Sequence, residues 1–330
     1  MKRRTFLKTT AAVPIILGAP SIVKAAGKGN QKLRIGVITP GSHFWTKSMT
    51  RFGESLSKKT NGEFEVTVFP SGQLGNEATM IQQIQSGALD MGFLTVAEFS
   101  NRIDDMASLF APHLVGNVNE GSKILTGPTA TNMLNQFETL GMKGFGFGLG
   151  GMRHLISRDP VSTAADLVGK KYRITPFAPL RDFFNLMDVA PTPIPLPGLF
   201  DALANGQVDG ADIDLELAWK LKLYDKAPNL NITNHMMFPV VSVMSGRVWS
   251  KYNAEEQSII QQTVTEELNW LFGQYSKFDP QWQSDLKGTG MSIQKSTDKS
   301  FFGPVLDQWA EIWEPKAPSI AALRAEAYSI

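Results

Sequence analysis

Hydrophobic and polar positions along the first part of the chain follow two alternating rhythms. Residues 33–38 and 64–69 have the short β-rich pattern of strands, and proline and glycine follow each run. Residues 44–59 and 76–85 instead repeat apolar side chains at helical spacing. A third strand is expected over 88–93. The pattern therefore predicts the order strand, helix, strand, helix, strand.

The same order recurs later in the chain. Strands are expected at 171–174, 192–195 and 207–211, with helices at 177–187 and 198–204. Alternation of this kind predicts mainly parallel sheets with right-handed crossovers. The sequence thus predicts an α/β fold of two related lobes with a cleft between them.

The predicted lobes are discontinuous in sequence. The first takes residues 27–152 and 238–278, and the second takes 153–237 and 279–330. A glycine-rich stretch, 144–151, alternates glycine with apolar residues and precedes no helix, so we expect a buried strand passing between lobes rather than a nucleotide loop.

A long helix is expected to connect the two lobes. Asn253 is its predicted N-cap, Glu255 and Glu256 suit its first turn, and the apolar stripe continues to about Ser276. A helix of more than about 20 residues spans roughly 30 Å, which is enough to brace both lobes.

The chain opens with the pattern of an export signal. Basic residues within 2–8 precede an apolar run at 11–17 that is too short to span a bilayer of roughly 30 Å. We expect residues 1–26 to be a signal peptide and the mature protein to be periplasmic, not membrane-embedded. Arg3 and Arg4 indicate twin-arginine export, although paired arginines also occur in ordinary secretory signals.

Charge and composition exclude several function classes. Positions 1–26 hold five of the 32 basic residues and none of the 31 acidic ones, so the remaining chain carries a formal charge of −4 and lacks the basic footprint of a nucleic-acid binder. The chain has no cysteine, no paired histidines at metal-binding spacing and no nucleophile elbow. We therefore expect no metal site, no cofactor and no catalytic residue.

Ligands of parallel α/β sheets bind beyond the carboxyl ends of the strands. This rule selects four segments, 39–45, 93–96, 173–176 and 211–216. Their candidate ligand-binding side chains, with one added from the end of the glycine-rich strand, are Phe44, Trp45, Thr95, Arg153, Arg173, Asp212 and Asp214.

Arg173 is the most informative of these candidates. It ends a strand just before a helix, where a guanidinium can pair with a carboxylate through two parallel hydrogen bonds. A structural ion pair is the alternative at Arg173 and the favoured one at Arg153. Asp212 and Asp214 suit hydroxyls, a cation or a solvated loop. Core packing is the commoner role of aromatic residues such as Phe44 and Trp45.

Several stretches in order resemble the solute-binding proteins of tripartite ATP-independent periplasmic (TRAP) transporters. They are residues 69–75, 87–90, 166–173, 191–193 and 204–210, and the resemblance covers about 33–330. It implies a two-lobe, periplasmic-binding-protein-like fold, a shared long helix and a buried organic anion that is delivered to membrane subunits of the transporter. It also implies that an arginine matching Arg173 pairs with the ligand carboxylate, and that Arg153 matches a further arginine less securely.

Two positions depart from the family pattern. Members often continue Val-Asp-Gly with Gln-Glu-Asn-Pro, whose asparagine contacts the ligand, whereas this chain has Ala211-Asp212-Ile213-Asp214. An arginine of some sialic-acid binders falls at Asp159 here. The missing amide indicates an atypical ligand, and sialic acid is not expected. We expect a small carboxylate or related organic anion, such as a sugar acid, dicarboxylate or sulfonate.

Two other functions fit the sequence less well. One is a binding protein of an ATP-driven importer, which uses the same two-lobe closure. The other is a secreted α/β hydrolase or transferase, which turnover of a substrate panel would reveal.

Overall fold

The computed structural model describes residues 30–329, so the expected signal peptide lies outside the described residues. The strands are β1 Gln31–Val37, β2 Phe64–Phe69, β3 Met91–Thr95, β4 Met142–Met152, β5 His154–Ser157, β6 Lys171–Ile174, β7 Ala190–Pro193, β8 Gly210–Ile213, β9 Asn229–Ile232, β10 Met237–Ser245 and β11 Ser292–Lys295. The α-helices are α1 Phe44–Lys59, α2 Glu77–Ser86, α3 Val96–Ser100, α4 Val118–Thr126, α5 Pro128–Met133, α6 Ala178–Asn185, α7 Leu199–Ala204, α8 Leu215–Lys220, α9 Gly246–Trp249, α10 Ala254–Gly288, α11 Val305–Trp313 and α12 Ser319–Ala327.

The strands form two sheets, and each sheet begins with the repeat that the sequence predicts. The first sheet has the order β2-β1-β3-β10-β4, and the second has the order β7-β6-β8-β5-β9-β11. The units β1-α1-β2-α2-β3 and β6-α6-β7-α7-β8 occupy equivalent places, and their strands pair in parallel. The prediction of two related α/β units is confirmed.

In each sheet one strand runs against all the others. In the first sheet this strand is β10, which pairs antiparallel with β3 and β4. In the second sheet it is β5, which pairs antiparallel with β8 and β9. The chain reaches β5 directly from β4 of the first sheet, and it reaches β10 from β9 of the second sheet. The chain therefore crosses between the sheets at Arg153 and again at 233–236.

The glycine-rich strand β4 is buried, as its sequence predicts. Its glycines leave room for neighbouring side chains: a Cβ on Gly146 would overlap Leu268 of α10, and one on Gly150 would overlap the Trp45 ring. Because these glycines carry no side chain, α10 and α1 can approach β4 closely.

Helix α10 contacts both halves of the molecule. It packs on α1 and β4, which belong with the first sheet, and on α8, which follows β8 of the second. Asn253 caps it through a hydrogen bond with the Glu256 backbone, as predicted. The helix continues 12 residues past the predicted end at Ser276 and through Pro280, because the buried side chains Trp282 and Leu286 extend its apolar contacts.

The proposed division into lobes agrees with the strand content of the two sheets but is less simple at the C-terminus. Helix α11 contacts α6, on the side of the second sheet, whereas α12 contacts α4 and α5, which pack with the first. The lobe boundaries stay a prediction. Within residues 30–329, no helix is both long and apolar enough to cross a membrane.

Candidate ligand-binding site

A cavity of about 170 Å³ lies between the two sheets, where the carboxyl ends of their parallel strands face each other. Each of the four segments selected from the sequence supplies at least one wall residue. The half of the molecule built on the first sheet contributes Ile38, Trp45, Asn76, Glu77, Ala78, Thr95, Glu98 and Phe238. The half built on the second sheet contributes Arg173, Thr175, Pro176, Pro195, Leu196, Ile213 and Leu217. Arg153, at the first crossing between the sheets, also lines the cavity.

Arg173 presents a buried guanidinium that keeps free hydrogen-bonding capacity. Its Nε donates to the carbonyl of Ile194 at 2.8 Å, and Nη1 has one long contact of 3.5 Å to the carbonyl of Asp212. No carboxylate among residues 30–329 forms an ion pair with it. Burial lowers the pKa of Arg173 to about 9, with Arg153 acting in the same direction and Asp212 opposing it. The side chain is charged at neutral pH, and its Nη2 has no partner within the described chain.

Arg153 stands beside it with its charge already matched. Its Nε donates to Oδ1 of Asp212 at 2.7 Å, Nη2 bonds the same carboxylate, and Nη1 donates to Oδ2 of Asp214 at 3.2 Å. The guanidinium also lies over the ring of Phe238, 4.3 Å from its centroid. Arg153 therefore has the structural ion pairs that its sequence position favours, although it forms part of the cavity wall.

The carboxylate of Asp212 also ties together the second crossing. Its Oδ2 lies 2.9 Å from Nε2 of His235, whose Nδ1 is 2.7 Å from the hydroxyl of Thr233. Burial opposes ionisation of Asp212, but Arg153 and His235 outweigh it and lower its pKa to about 2. Burial raises the pKa of Asp214 despite the nearby Arg153. Neither aspartate lines the cavity, so neither belongs to the site that we propose below.

Glu77 is a cavity residue that the sequence analysis missed. It is the first residue of α2, and it accepts hydrogen bonds from the backbone N–H of Thr95 at 2.6 Å and from the Thr95 hydroxyl at 2.9 Å. It is half-buried and lines the cavity. Burial raises its pKa to about 7 in spite of both hydrogen bonds. The only sequence signal for it was its place at the start of a helix after residues 69–75.

Phe44 has a different role from the one proposed for it. Its ring contacts the aromatic side chains of Trp270, Tyr275, Phe278 and Trp282 on α10, and it lies outside the cavity wall. Core packing, the commoner role of such a residue, is what the structure shows. Trp45, the next residue, lines the cavity and stacks parallel to Phe238.

A second buried cluster joins α1 to α8 and α10 around Glu216. The carboxylate accepts from the backbone N–H of Phe44 at 2.8 Å, from Oη of Tyr275 at 2.6 Å and from Nζ of Lys220 at 2.5 Å. Nε2 of His43 lies 3.2 Å from it. Burial lowers the pKa of His43 to about 3 and raises that of Glu216, so the imidazole is neutral. This cluster links the two halves of the molecule beside the cavity.

Comparison with known proteins places the chain in a family. Residues 35–316 match the family model described as bacterial extracellular solute-binding protein, family 7. The chain belongs to this family. The resemblance to solute-binding proteins of TRAP transporters, indicated by the sequence motifs, is thereby confirmed.

Individual family members are distant in sequence. A solute-binding protein of Roseobacter denitrificans is 25% identical over 99% of this chain and 100% of its own length. The 2,3-diketo-L-gulonate-binding periplasmic protein YiaO of Escherichia coli is 24% identical over 84% of each chain. The sugar acid binding protein DctPAm of Advenella mimigardefordensis, solved in complex with galactonate, is 22% identical, with a TM-score of 0.87 over 91% of this chain and 99% of its own. That similarity shows the two-lobe binding-protein fold.

Proposed function

We propose that this family 7 solute-binding protein captures a small organic anion between its lobes by pairing the anion's carboxylate with Arg173. The observation that carries the proposal is the contrast between the two arginines. Arg153 is neutralised by Asp212 and Asp214, whereas Arg173 faces the same cavity with no carboxylate partner in the described chain. A buried cation without a partner is costly, and a ligand carboxylate supplies the missing charge.

Closure of the lobes is the mechanism. Because the cavity wall comes from both halves of the molecule, a ligand in contact with both stabilises the closed arrangement by its greater affinity for that state. The relatives support an acid as ligand, since one was solved with galactonate and another is named for binding 2,3-diketo-L-gulonate.

The bound anion is then delivered, in our proposal, to the membrane subunits of a TRAP transporter on the periplasmic side. We propose binding without turnover, as the family description of a solute-binding protein supports. Reconstituted membrane subunits should take up the anion only when this protein is present. Accumulation of a chemically altered ligand would favour the alternative of an enzyme.

The first experiment is native mass spectrometry of the protein as purified, to detect a retained small anion. A melting-temperature screen against organic acids follows. We expect at least one acid to be retained or to raise the melting temperature of the wild type. Failure of every acid, with binding of neutral or cationic solutes instead, would contradict the proposal.

A further inference from the structure

Most of the cavity wall is apolar. Apart from Arg173 and Glu77, the wall comes largely from aliphatic, proline and aromatic residues in both halves of the molecule. They include Ile38, Trp45, Pro176, Leu196, Ile213 and Leu217. Ile213 and Leu217 are buried, so this wall is packed in place rather than formed by mobile surface groups.

The remaining polar side chains of the wall are mostly engaged. Arg153 is held by its two aspartates, Glu98 pairs with Arg102 at 2.7 Å, and the Thr95 hydroxyl donates to Glu77. The Asn76 amide oxygen caps α2. The Thr175 hydroxyl and the Asn76 amide nitrogen have no partner in the described chain, and two such groups would leave most hydroxyls of a polyhydroxylated ligand unsatisfied.

We infer that the ligand is a monocarboxylate with an apolar body and a single hydrogen-bond donor, such as a short branched 2-hydroxy acid. Arg173 takes the carboxylate, Glu77 accepts the hydroxyl and the aliphatic wall packs against the rest. This inference rests on the function proposed above and narrows its ligand class. A polyhydroxylated sugar acid fits less well, because hydroxyl groups buried against the apolar wall would lose hydrogen bonds to water without replacement.

Ile213 is the residue that decides this preference. It ends β8, lines the cavity and is buried. An isoleucine offers a ligand hydroxyl neither a hydrogen-bond donor nor an acceptor. Leu196, on the loop after β7, presents a similar aliphatic surface from a less buried position.

The test compares two sets of acids by calorimetric titration of the full mature protein. One set has apolar bodies and a single hydroxyl (2-hydroxyisovalerate, 2-hydroxyisocaproate and 2-hydroxy-3,3-dimethylbutyrate), and the other is polyhydroxylated (galactonate, glucuronate and erythronate). We expect the tightest acid of the first set to bind at least about tenfold more strongly than any of the second, because a hydrophobic pocket rejects an added hydroxyl by up to about 100-fold. Isovalerate, which lacks the hydroxyl, should bind at least about fivefold more weakly than 2-hydroxyisovalerate, in line with one lost hydrogen bond.

Variants provide the second arm. Ile213→Asn should reduce the ratio of the affinities for 2-hydroxyisovalerate and galactonate by about fivefold or more, which corresponds to about one hydrogen bond. Ile213→Val keeps the surface apolar and should leave this affinity ratio unchanged. If Ile213→Asn does not fold, Leu196→Asn on the same wall serves the same purpose.

The outcomes separate the inference from the proposed function. Galactonate or another sugar acid binding as tightly as the apolar acids would overturn the inference and leave carboxylate binding intact. Equal affinities for isovalerate and 2-hydroxyisovalerate would contradict the part of the inference in which Glu77 accepts a hydrogen bond from a ligand hydroxyl. No binding by any acid in either set would overturn the proposed function and this inference with it.

Discussion

Nε of Arg153 lies 2.7 Å from Oδ1 of Asp212, and the other cavity arginine, Arg173, has no such contact with a carboxylate of the described chain. Asp212 and Asp214 together balance Arg153 inside the protein. Arg173 lies on β6 of the second sheet, and its hydrogen-bond partners in the described chain are backbone carbonyls. Replacing each arginine should therefore change a different measurable property.

Arg173→Ala should weaken anion binding. Truncating one partner of a buried charge pair costs about 2–5 kcal/mol, or roughly 30-fold to several-thousand-fold in affinity. Arg173→Lys should recover part of the loss, because an ammonium keeps the charge without the two-pronged geometry. Titration calorimetry with an anion that binds the wild type provides the measurement. Affinity of Arg173→Ala within about threefold of wild type, together with a lower melting temperature of the ligand-free protein, would indicate a structural role instead.

Arg153→Ala should mainly reduce stability. It leaves two buried aspartates without their cation, and breaking a buried ion pair in this way costs about 3–5 kcal/mol of unfolding free energy. Urea denaturation of the ligand-free protein measures it. The control is Lys170→Ala, which breaks the exposed pair with Asp159 and should lower the unfolding free energy far less, because solvent screens that pair. Equal effects of the two substitutions would contradict this account of Arg153.

Glu77 should make stability depend on pH. Its pKa rises from an ordinary value of 4.5 to about 7 in the folded protein, so the folded state binds more protons than the unfolded state between these values. The contribution of protonated Glu77 to the unfolding free energy is fully present below pH 4.5 and is lost as the pH rises through about 7. Between about pH 5 and 8, unfolding free energy should fall less steeply in Glu77→Gln than in wild type. Chemical denaturation across this range tests the prediction, and parallel curves for the two proteins would refute it.

Glu216→Ala should loosen the junction of α1, α8 and α10. It leaves the Phe44 amide, the Tyr275 hydroxyl and the Lys220 ammonium without their shared acceptor. Each buried group left unsatisfied costs about 1–3 kcal/mol, so we expect a loss of at least about 1 kcal/mol in urea denaturation. Glu266→Ala, which removes an exposed partner of Lys59, is the matched control and should cost less than about 1 kcal/mol. The Glu216 cluster would be energetically unimportant if both variants unfolded alike.

The export signal gives a prediction that depends on sequence alone. Mature protein from the native host should begin near Ala26 or Gly27 and be released with the periplasm. Replacing Arg3 and Arg4 by lysine should block export if the signal is of the twin-arginine type. Fractionation with N-terminal sequencing measures both, and unchanged export of the double variant would assign the signal to the ordinary secretory class.

The sequence predicted the repeated units well because their signals are local. Helix α1 has the predicted bounds, 44–59, since its apolar spacing and flanking turns both lie within the segment. The strand-end rule likewise found Trp45, Thr95 and Arg173 in the cavity wall, because sheet topology fixes where those ends meet.

Features that depend on distant partners were not predictable in the same way. Nothing near Glu77 in sequence shows that Thr95 donates two hydrogen bonds to it, and Asp212 resembles a ligand-binding residue until Arg153 is seen beside it. The third strand was expected over 88–93 but lies at 91–95, since its pairing with β1 and β10 sets its bounds. Helix α10 passes Pro280 because tertiary contacts outweigh a local signal to stop.

The exchange of β5 and β10 between the sheets has a consequence for how the chain can fold. The first sheet gains its reversed strand only when residues 237–245 arrive between β3 and β4. A fragment ending at residue 152 would hold β3 and β4 with unpaired edges facing each other across an empty position, and exposed edges of this kind promote aggregation. The first sheet thus cannot be completed by the first half of the chain alone, and its native pairing must await synthesis of about three-quarters of the chain.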